Sequence, residues 1–490
     1  MENRTMMQYF EWYLPADKLF WKRCAAQAAE LKQSGIDMVW LPPAYKGANG
    51  VNDVGYAVYD TYDLGEFYQK GSVATKYGTK EEYQRAIRVL QEQGIAVLAD
   101  IVLNHRIGAD GKEQVTAVQN DAANRHMVIG DESEITAWTR FTFPGRARKY
   151  SGFTWNWTHF AGIDWDASEN QGGIYRFVGK NWDKEVDTEF GNYDYLMGAD
   201  LEMSNPVVVE ELKHWGRWYL EMTGVDGFRL DAVKHIRFSF FNEWLDAMRA
   251  EARRELFAVG EYWSGNLDNL MRYLDSSGRR MALFDVPLHM HFHEASCSCA
   301  HYDMRNLLQG TLVGCEPSSA VTFVDNHDTQ LGQALESWVG EWFKPLAYAF
   351  ILLREEGYPC VFYGDYYGIP HNNIAAVPGL KRLLRVRKRY AYGEQTDYFD
   401  DANVIGWTRA GDAEHEHSGV AVVLSDGEGG EKKMCMGKAF ANERFRDCLH
   451  RSGRLVELDD DGFGVFPVDG GSASVWVCEQ AYEALTVEMP

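Results

Sequence analysis

The sequence predicts an α/β fold: a (β/α)8 TIM barrel with an irregular β-rich insertion after its third strand and a C-terminal antiparallel β-sandwich domain. Three observations support this prediction. Short β-rich runs alternate with amphipathic helical segments eight times, residues 105–204 interrupt the alternation, and residues from about 396 onward show only short strands between Gly and Asp turns. The alternation implies parallel strands joined by helices, and eight repeats imply a closed barrel.

The eight predicted barrel strands are short runs rich in β-branched and aromatic residues, a composition typical of strands. They lie at residues 6–12, 36–43, 94–105, 225–231, 256–263, 281–288, 319–328 and 359–365.

The segments between these strands carry helix signals. In "TKEEYQRAIRVLQEQG", Thr79 and Glu82 form a capping box ahead of a run with helical period. In "NPVVVEELKHWGRWYLEMTG", Asn205 is placed to cap the helix and Pro206 occupies its first position. We therefore expect amphipathic helices to connect the strands.

We divide the chain into three parts on this pattern. Residues 1–104 and 205–395 form the barrel, residues 105–204 an inserted subdomain, and residues 396–490 an all-β domain. A stretch as long as 105–204 without helical period is usually functional when it lies within a compact domain.

Composition narrows the class of partner. The chain has 49 Lys and Arg against 72 Asp and Glu, a formal net charge of −23, which repels nucleic-acid phosphates and anionic lipids. The first residues lack a basic segment followed by an apolar one, and the longest apolar stretch, "PLAYAFILL", is too short to span a bilayer. Eight scattered cysteines fit reduced thiols. We expect a cytoplasmic monomer that binds neither nucleic acid nor membranes.

Polar residues cluster at the C-terminal ends of the predicted strands. Because these ends surround one mouth of a parallel barrel, their side chains should converge there. They are Asn104 and His105 after the third strand, Arg229 and Asp231 at the fourth, Glu261 at the fifth, and His327 and Asp328 at the seventh.

Three acids at one opening suit glycoside hydrolysis, in which one carboxyl protonates the leaving oxygen while another attacks or supports the sugar. Arg229 precedes Asp231 by two residues, so both point to the same side of the strand and the cation should keep Asp231 ionised. A single acid at a strand end is more often solvated or caps the next helix. The joint placement of Asp231, Glu261 and Asp328 favours a catalytic set.

Four motifs carry a family resemblance: "DIVLNH" (100–105), "GFRLDAVKH" (227–235), "GEYW" (260–263) and "FVDNHD" (323–328). In order and spacing they resemble the signature regions of the α-amylase family of glycoside hydrolases. Within it the chain is most similar to the liquefying bacterial type, and closest to its cytoplasmic branch. The resemblance covers nearly the whole chain.

The resemblance implies an endo-acting, retaining hydrolase of α-1,4-glucosidic bonds in starch, glycogen or maltodextrins. Asp231 would be the nucleophile, Glu261 the general acid/base, and Asp328 the third acid, which binds sugar hydroxyls. The remaining implied substrate contacts are His105 and His327 on the sugar cleaved, Tyr56 stacked on it, and Lys234, His235 and Trp263 on the leaving-group side.

A structural calcium is also implied. The segment "GKNWDKEVDTEFGNYDYLMGADLEM" places acids among Gly and aromatic residues, and irregularly spaced oxygen ligands suit Ca²⁺. By resemblance, the ligands are Asn104, Asp183, Asp194, Asp200 and the carbonyl of His235. Relatives with a larger metal cluster carry further aspartates where this chain has Ala161, Glu202 and Ser204, and Asn403 stands where an aspartate is usual at a third site.

Three alternatives remain open on the sequence. A transglycosidase of the same fold would transfer the sugar to another glucan instead of to water. A non-catalytic glucan-binding homologue would lack one of the acids, and none is missing. A zinc hydrolase would use His289, His291 and His293, which alternate just past the sixth strand beside two cysteines.

Overall fold

The computed structural model describes residues 3–449 and 454–488, so the outer ends of the predicted first and last parts lie outside it, as do residues 450–453. Eight parallel strands close a barrel, which confirms the predicted fold. The strands are Met6–Gln8, Met38–Leu41, Ala96–Ile101, Gly227–Leu230, Phe257–Gly260, Ala282–Phe284, Ala320–Phe323 and Tyr358–Phe362. Each overlaps a predicted run but is shorter, because the last residues of each run already belong to the loop or helix that follows the strand.

The register of the third and fourth barrel strands positions the site. Arg229 pairs with Asp100 on one side and with Val259 on the other. Side chains that share a level on neighbouring barrel strands meet in the interior. Opposite charges on Arg229 and Asp100 therefore face each other inside the barrel.

Helices surround the barrel as predicted. The longer ones are Phe20–Gln33, Lys80–Glu92, Pro206–Thr223, Phe240–Ala252, Leu267–Ser276, Val286–Cys297, Lys344–Leu353 and Leu380–Arg389, with short helices at Leu312–Cys315 and Tyr363–Tyr367. The predicted capping box is confirmed, since Thr79 accepts from the Glu82 amide and Glu82 accepts from the Thr79 amide. Asn205 caps the helix that follows it, with Pro206 at its first position. None of the helices in the described residues has both the length and the apolar composition needed to cross a bilayer.

The insertion folds as one antiparallel sheet of six strands, a more regular structure than we predicted. In spatial order the strands are His105–Arg106, Ala199–Leu201, Phe160–Asp166, Gln171–Phe177, Gly111–Asn120 and Val128–Arg140. The first and last segments of the insertion thus pair with each other beside the barrel. That pairing brings Asn104 and Asp200 to the junction of the insertion and the barrel.

The C-terminal part contains a six-stranded antiparallel sheet and a two-stranded one. The larger sheet has, in spatial order, Gln395–Tyr398, Val404–Arg409, Val420–Ser425, Ser472–Cys478, Arg444–Asp447 and Leu455–Glu457, and the smaller has Gly429–Cys435 and Phe463–Asp469. The prediction of an all-β domain misses one element, the helix Glu479–Glu488. Its buried Ala481 and Leu485 are spaced by one helical turn, which is the pattern of a helix covering the sheet.

Candidate active site

The floor of the barrel mouth is built around one buried cation. The Arg229 guanidinium is fully buried, with Nη1 lying 3.0 Å from Asp100 Oδ1 and 2.5 Å from Asp231 Oδ1. Its Nη2 lies 2.8 Å from Glu261 Oε2, although the angle does not suit a hydrogen bond, so we treat this contact as electrostatic. One guanidinium therefore holds three carboxyl groups together.

Burial raises the pKa of each acid in this group, because charge is poorly solvated there. The pKa of Asp231 is raised to about 6 by burial, while Arg229 and a hydrogen bond with Glu261 lower it. We expected Arg229 to keep Asp231 ionised; burial outweighs its effect, yet a pKa near 6 still leaves most of the carboxyl ionised at neutral pH. Burial and the charge of Asp231 raise the pKa of Glu261. A protonated Glu261 can thus donate to an ionised Asp231.

Asp328 completes the group from the loop after the seventh strand. Its amide donates to Asn326 Oδ1 at 2.8 Å, which tightens the turn. Burial first, and then the charge of Glu261, raise its pKa well above the ordinary value. A carboxyl group accepts hydrogen bonds when ionised and also donates one when protonated, which suits contact with sugar hydroxyls.

One wall of the mouth is aromatic and uncharged. Tyr56 donates from its hydroxyl to Asp100 Oδ2 at 2.7 Å, and its ring lies 13° from the plane of His327 and 3° from that of Trp12. Burial lowers the pKa of His105 to about 4 and that of His327 well below its ordinary value. Both imidazoles are therefore neutral, and the 3.3 Å contact of His327 Nε2 with Asp328 is not an ion pair.

The opposite wall is polar and belongs to a groove of ≈ 540 Å³. Lys234 Nζ donates to Trp263 O at 3.1 Å and to Glu189 at 2.8 Å. His235 Nδ1 lies 2.8 Å from Tyr193 O, and the two rings meet edge to face. The structure therefore places Lys234 against Trp263, both lining this groove, with His235 next in the chain; their predicted role on the leaving-group side stays a prediction.

A second group of acids lies where the insertion meets the barrel. Asp194 and Asp200 are buried, and the Asp194 carboxylate accepts from the Asp183 amide at 2.8 Å. Burial and neighbouring acids raise the pKa of Asp194 to about 7 and that of Asp200 well above its ordinary value. Asp200 Oδ2 and Asn104 Nδ2 are buried without a hydrogen-bond partner among the described residues.

This group fits a bound divalent cation. Within residues 3–449 and 454–488, no three His, Cys, Asp or Glu side chains already converge as ligands. Calcium, however, also accepts amide and backbone carbonyl oxygens, and Asn104 and His235 would supply those. An ion here would use the unpartnered Asp200 oxygen and offset the repulsion between Asp194 and Asp200.

The positions where larger metal clusters carry aspartates have other contacts. Glu202 pairs with Lys180 Nζ at 2.5 Å, and Ala161 packs in a small apolar cluster with Trp182 and Tyr195. Asn403 donates to Ala300 O at 2.8 Å and to Asp426 at 2.9 Å. Glu202 and Asn403 thus already have protein partners at these positions.

The three histidines proposed for zinc are engaged elsewhere. They lie on the helix Val286–Cys297, which begins where the predicted sixth strand was expected to continue. Each Nδ1 lies within 3.0 Å of a different backbone carbonyl. A zinc site needs convergent His, Cys or carboxylate side chains, and the described residues hold no such set.

Comparison with known proteins identifies the family. Residues 27–405 match the model of the α-amylase catalytic domain. The chain belongs to the α-amylase family. It is 55% identical to an α-amylase of Geobacillus stearothermophilus over 97% of this chain and 87% of that one. It is 45% identical to the cytoplasmic α-amylase of Escherichia coli over 98% and 100% of the two chains.

A solved structure supports the fold. The α-amylase of Geobacillus thermoleovorans, in complex with acarbose, matches with a TM-score of 0.63 at 18% identity, over 98% of both chains. The family resemblance predicted from the four motifs is confirmed by the family model and the two relatives.

Several residues of this amylase's mouth escaped the sequence analysis. Asp100 contacts Arg229 and Tyr56 and accepts from Trp40 Nε1 at 2.9 Å, and Gln8 Nε2 lies 3.0 Å from His327 Nδ1. We searched the ends of the predicted strands, whereas Asp100 lies within the strand Ala96–Ile101. The signal that could have identified it is a single acid inside an otherwise apolar strand.

Proposed function

We propose that this amylase is an endo-acting, retaining hydrolase of internal α-1,4-glucosidic bonds in starch, glycogen and maltodextrins. The observation that carries the proposal is that Asp231 and Glu261 both contact the guanidinium of Arg229, at 2.5 and 2.8 Å. Carboxyls this close suit a retaining mechanism, because an inverting enzyme keeps roughly 6.5–9.5 Å between them for water.

In the first step Asp231 attacks the anomeric carbon while Glu261 gives its proton to the departing glycosidic oxygen. The Asp231 ester that forms carries no charge. Since the negative charge of Asp231 raises the pKa of Glu261, esterification lowers that pKa and Glu261 becomes a base. It then takes a proton from water, and the water cleaves the ester with net retention.

The walls hold the sugars on either side of the scissile bond. Tyr56 stacks on the sugar that is cleaved, while His105 and His327, as neutral imidazoles, hydrogen-bond its hydroxyls. Asp328 binds hydroxyls of the same sugar and favours its distorted form. Lys234, His235 and Trp263 receive the leaving portion of the chain.

Calcium has a structural role in this proposal. Asn104, Asp183, Asp194, Asp200 and the carbonyl of His235 would hold one ion, which supplies positive charge at the junction of the insertion and the barrel. The residues that act on the sugar are separate from this set except for His235. Its ring packs against Tyr193, which lines the groove, so an ion that orders the junction would also order this wall of the cleft.

The remaining expectations belong to the same proposal. We place the enzyme in the cytoplasm because its eight cysteines are unpaired and because it is similar to the E. coli protein whose name gives that location. We also expect it to be a monomer. The net charge of −23 disfavours nucleic-acid partners. The limits 1–104, 105–204, 205–395 and 396–490 stay predictions.

Product analysis on soluble starch tests the proposal. We expect new reducing ends to appear together with a rapid fall in glucan chain length. Disproportionation without new reducing ends would replace hydrolysis by transglycosylation. The absence of any change in the glucan would favour a non-catalytic homologue.

A further inference from the structure

Loop 183–195 of the insertion forms part of the polar wall, and Asp187 holds it in place. The Asp187 side chain is only 3% exposed. It lies beneath the groove, beside Tyr262, the residue that follows Glu261. A buried acid at this position requires a structural or functional reason, because burial of an unpaired carboxylate is costly.

Asp187 binds partners on three segments. Its Oδ2 accepts from the Tyr262 hydroxyl, and its Oδ1 accepts from the Glu189 amide at 2.7 Å. Its own amide donates to Lys234 O at 2.9 Å, and its carbonyl accepts from the Tyr193 amide at 2.8 Å. The segments that follow the fourth and fifth strands therefore meet the insertion loop at one residue.

The contact with Tyr262 bears directly on Glu261. Tyr262 lies just past the strand Phe257–Gly260, and its ring packs against Tyr273 of the helix Leu267–Ser276 rather than in the mouth that Glu261 faces. The Tyr262 ring is fully buried and packs against Phe238 and Tyr273 at centroid distances of 6.1 and 5.2 Å. A tyrosine held both at its ring and at its hydroxyl limits the backbone movement of the residue before it.

The contacts with Lys234 and Glu189 act on the other side of the groove. Glu189 follows Asp187 by two residues, and its carboxylate pairs with Lys234 Nζ at 2.8 Å. The loop thus determines where the ammonium group of Lys234 lies relative to Trp263. The same loop carries Asp183 and Asp194, two of the proposed calcium ligands.

From these contacts we infer that Asp187 is a positioning residue, which places Glu261 through Tyr262 and Lys234 through the loop backbone. The inference rests on the proposed acid/base role of Glu261. The two carboxylate oxygens accept from different donors. In Asp187→Asn the amide oxygen can still accept from the Glu189 amide, but the NH₂ group then faces the Tyr262 hydroxyl, which loses its charged acceptor and must reverse its hydrogen bond.

The test compares two donors that differ in their need for a proton. With a maltooligosaccharide the leaving oxygen must be protonated by Glu261, whereas with α-maltosyl fluoride the departing fluoride needs far less help. We expect Asp187→Asn and Tyr262→Phe to lower kcat/KM on the oligosaccharide by about tenfold or more, since small misplacement of a catalytic group is costly. On the fluoride, kcat/KM should stay within about twofold of the wild type, because kcat/KM reports the formation of the glycosyl-enzyme and excludes the later step in which Glu261 acts as a base.

Two further measurements separate positioning from general stability. The alkaline limb of the kcat/KM pH profile should move in both variants, because it reports the environment of Glu261. The double variant should be no slower than the slower single one, since both substitutions break the same contact. Glu185→Gln is the matched control, an exposed acid of the same loop whose carboxylate accepts from the Ser239 hydroxyl; it should behave as the wild type.

Equal losses on both donors, with an unmoved pH profile, would overturn the inference and leave Asp187 a purely structural residue. If Asp187→Asn does not fold, Tyr262→Phe decides, because it keeps the buried ring and removes only the hydroxyl. Failure of the proposed function looks different: the wild-type enzyme itself would then release no reducing ends from starch.

Discussion

Two groups of acids in this amylase, one in the barrel mouth and one at the junction with the insertion, have their charges balanced differently. The catalytic cluster is Asp100, Asp231, Glu261 and Asp328, and the insertion cluster is Asp183, Asp194 and Asp200. Arg229 lies within the catalytic cluster and contacts three of its carboxyls at 2.5–3.0 Å. Arg125, whose charge acts on the insertion cluster, instead donates to Tyr195 O and lies 4.2 Å from the centre of the Tyr193 ring.

The pKa values reflect this difference. With Arg229 in contact, the pKa of Asp231 is about 6, whereas in the insertion cluster that of Asp194 is about 7. The pKa values of Asp200 and of Asp328, which is not among the three carboxyls that contact Arg229, are raised well above their ordinary values. Burial raises all four, and Arg229 opposes it at Asp231 by direct contact. The catalytic cluster can thus work without a metal in contact, and the insertion cluster is where a cation would be needed.

The largest expected effect comes from removing the nucleophile of the catalytic cluster. Asp231→Asn should lower kcat by roughly 10⁴-fold or more, as removal of a covalent nucleophile does in other enzymes. Its melting temperature should change little, because Asn keeps the shape and can still contact Arg229. The measurement is the rate of reducing-end release from starch, together with a thermal scan.

Asp226→Asn is the matched control at the other end of the same strand. Asp226 accepts from the Val97 amide at 2.9 Å and from Arg254 at 3.0 Å, so its contacts are structural. We expect this variant to melt earlier and to retain its kcat. Near-normal turnover in Asp231→Asn would contradict the nucleophile assignment.

The barrel could be predicted from the sequence because its signals are local. Each strand is one short apolar run, and each connecting helix carries its own caps, as at Thr79 and Asn205. Residues at the C-terminal ends of parallel strands must share one mouth, so the meeting of Asp231, Glu261 and Asp328 followed from topology alone. The final helix, Glu479–Glu488, was missed because a run of turn-separated strands outweighed its weaker helical pattern.

Contacts between distant segments could not be predicted in this way. Asp100 meets Arg229 because two neighbouring strands place these residues at the same level of the barrel. Asp187 meets Lys234 because the insertion loop folds back onto the barrel. Neither carries a local pattern that separates it from a solvated acid. The pKa of Asp231 was also beyond reach, since it depends on the depth of burial as much as on Arg229.

The pH profile of kcat/KM tests the charge balance of the catalytic cluster, and we expect an effect of intermediate size. Asp231 attacks only when ionised, so kcat/KM should fall as the pH drops through about 6, by about tenfold per pH unit well below that value. The charge of Asp100 raises the pKa of Asp231, so Asp100→Asn should move this acid limb to lower pH. Overall activity will fall in that variant because Arg229 and Tyr56 lose a partner; the position of the limb is therefore the measurement. A limb at higher pH would show that Asp100 acts mainly by holding Arg229 in place.

The smallest effect, a shift in melting temperature, tests the insertion cluster most directly. Chelation should lower the melting temperature of the wild type by about 5 °C or more, because a ligand that binds only the folded state stabilises it. Asp200→Asn removes one charge from the cluster, so two opposite changes are expected. With calcium the variant should melt below the wild type, since it loses a ligand, and in chelator it should melt above the wild type, since it also loses a repulsive charge.

That reversal separates a metal site from an acidic loop that merely tolerates its charge. Asp164→Asn is the control, an exposed acid on the neighbouring strand Phe160–Asp166, and its response to chelator should equal that of the wild type. If Asp200→Asn and the wild type respond equally to chelator, the insertion cluster does not hold the ion. The difference between the two clusters would then lie in burial alone, because the repulsion between Asp194 and Asp200 would persist without a cation to offset it.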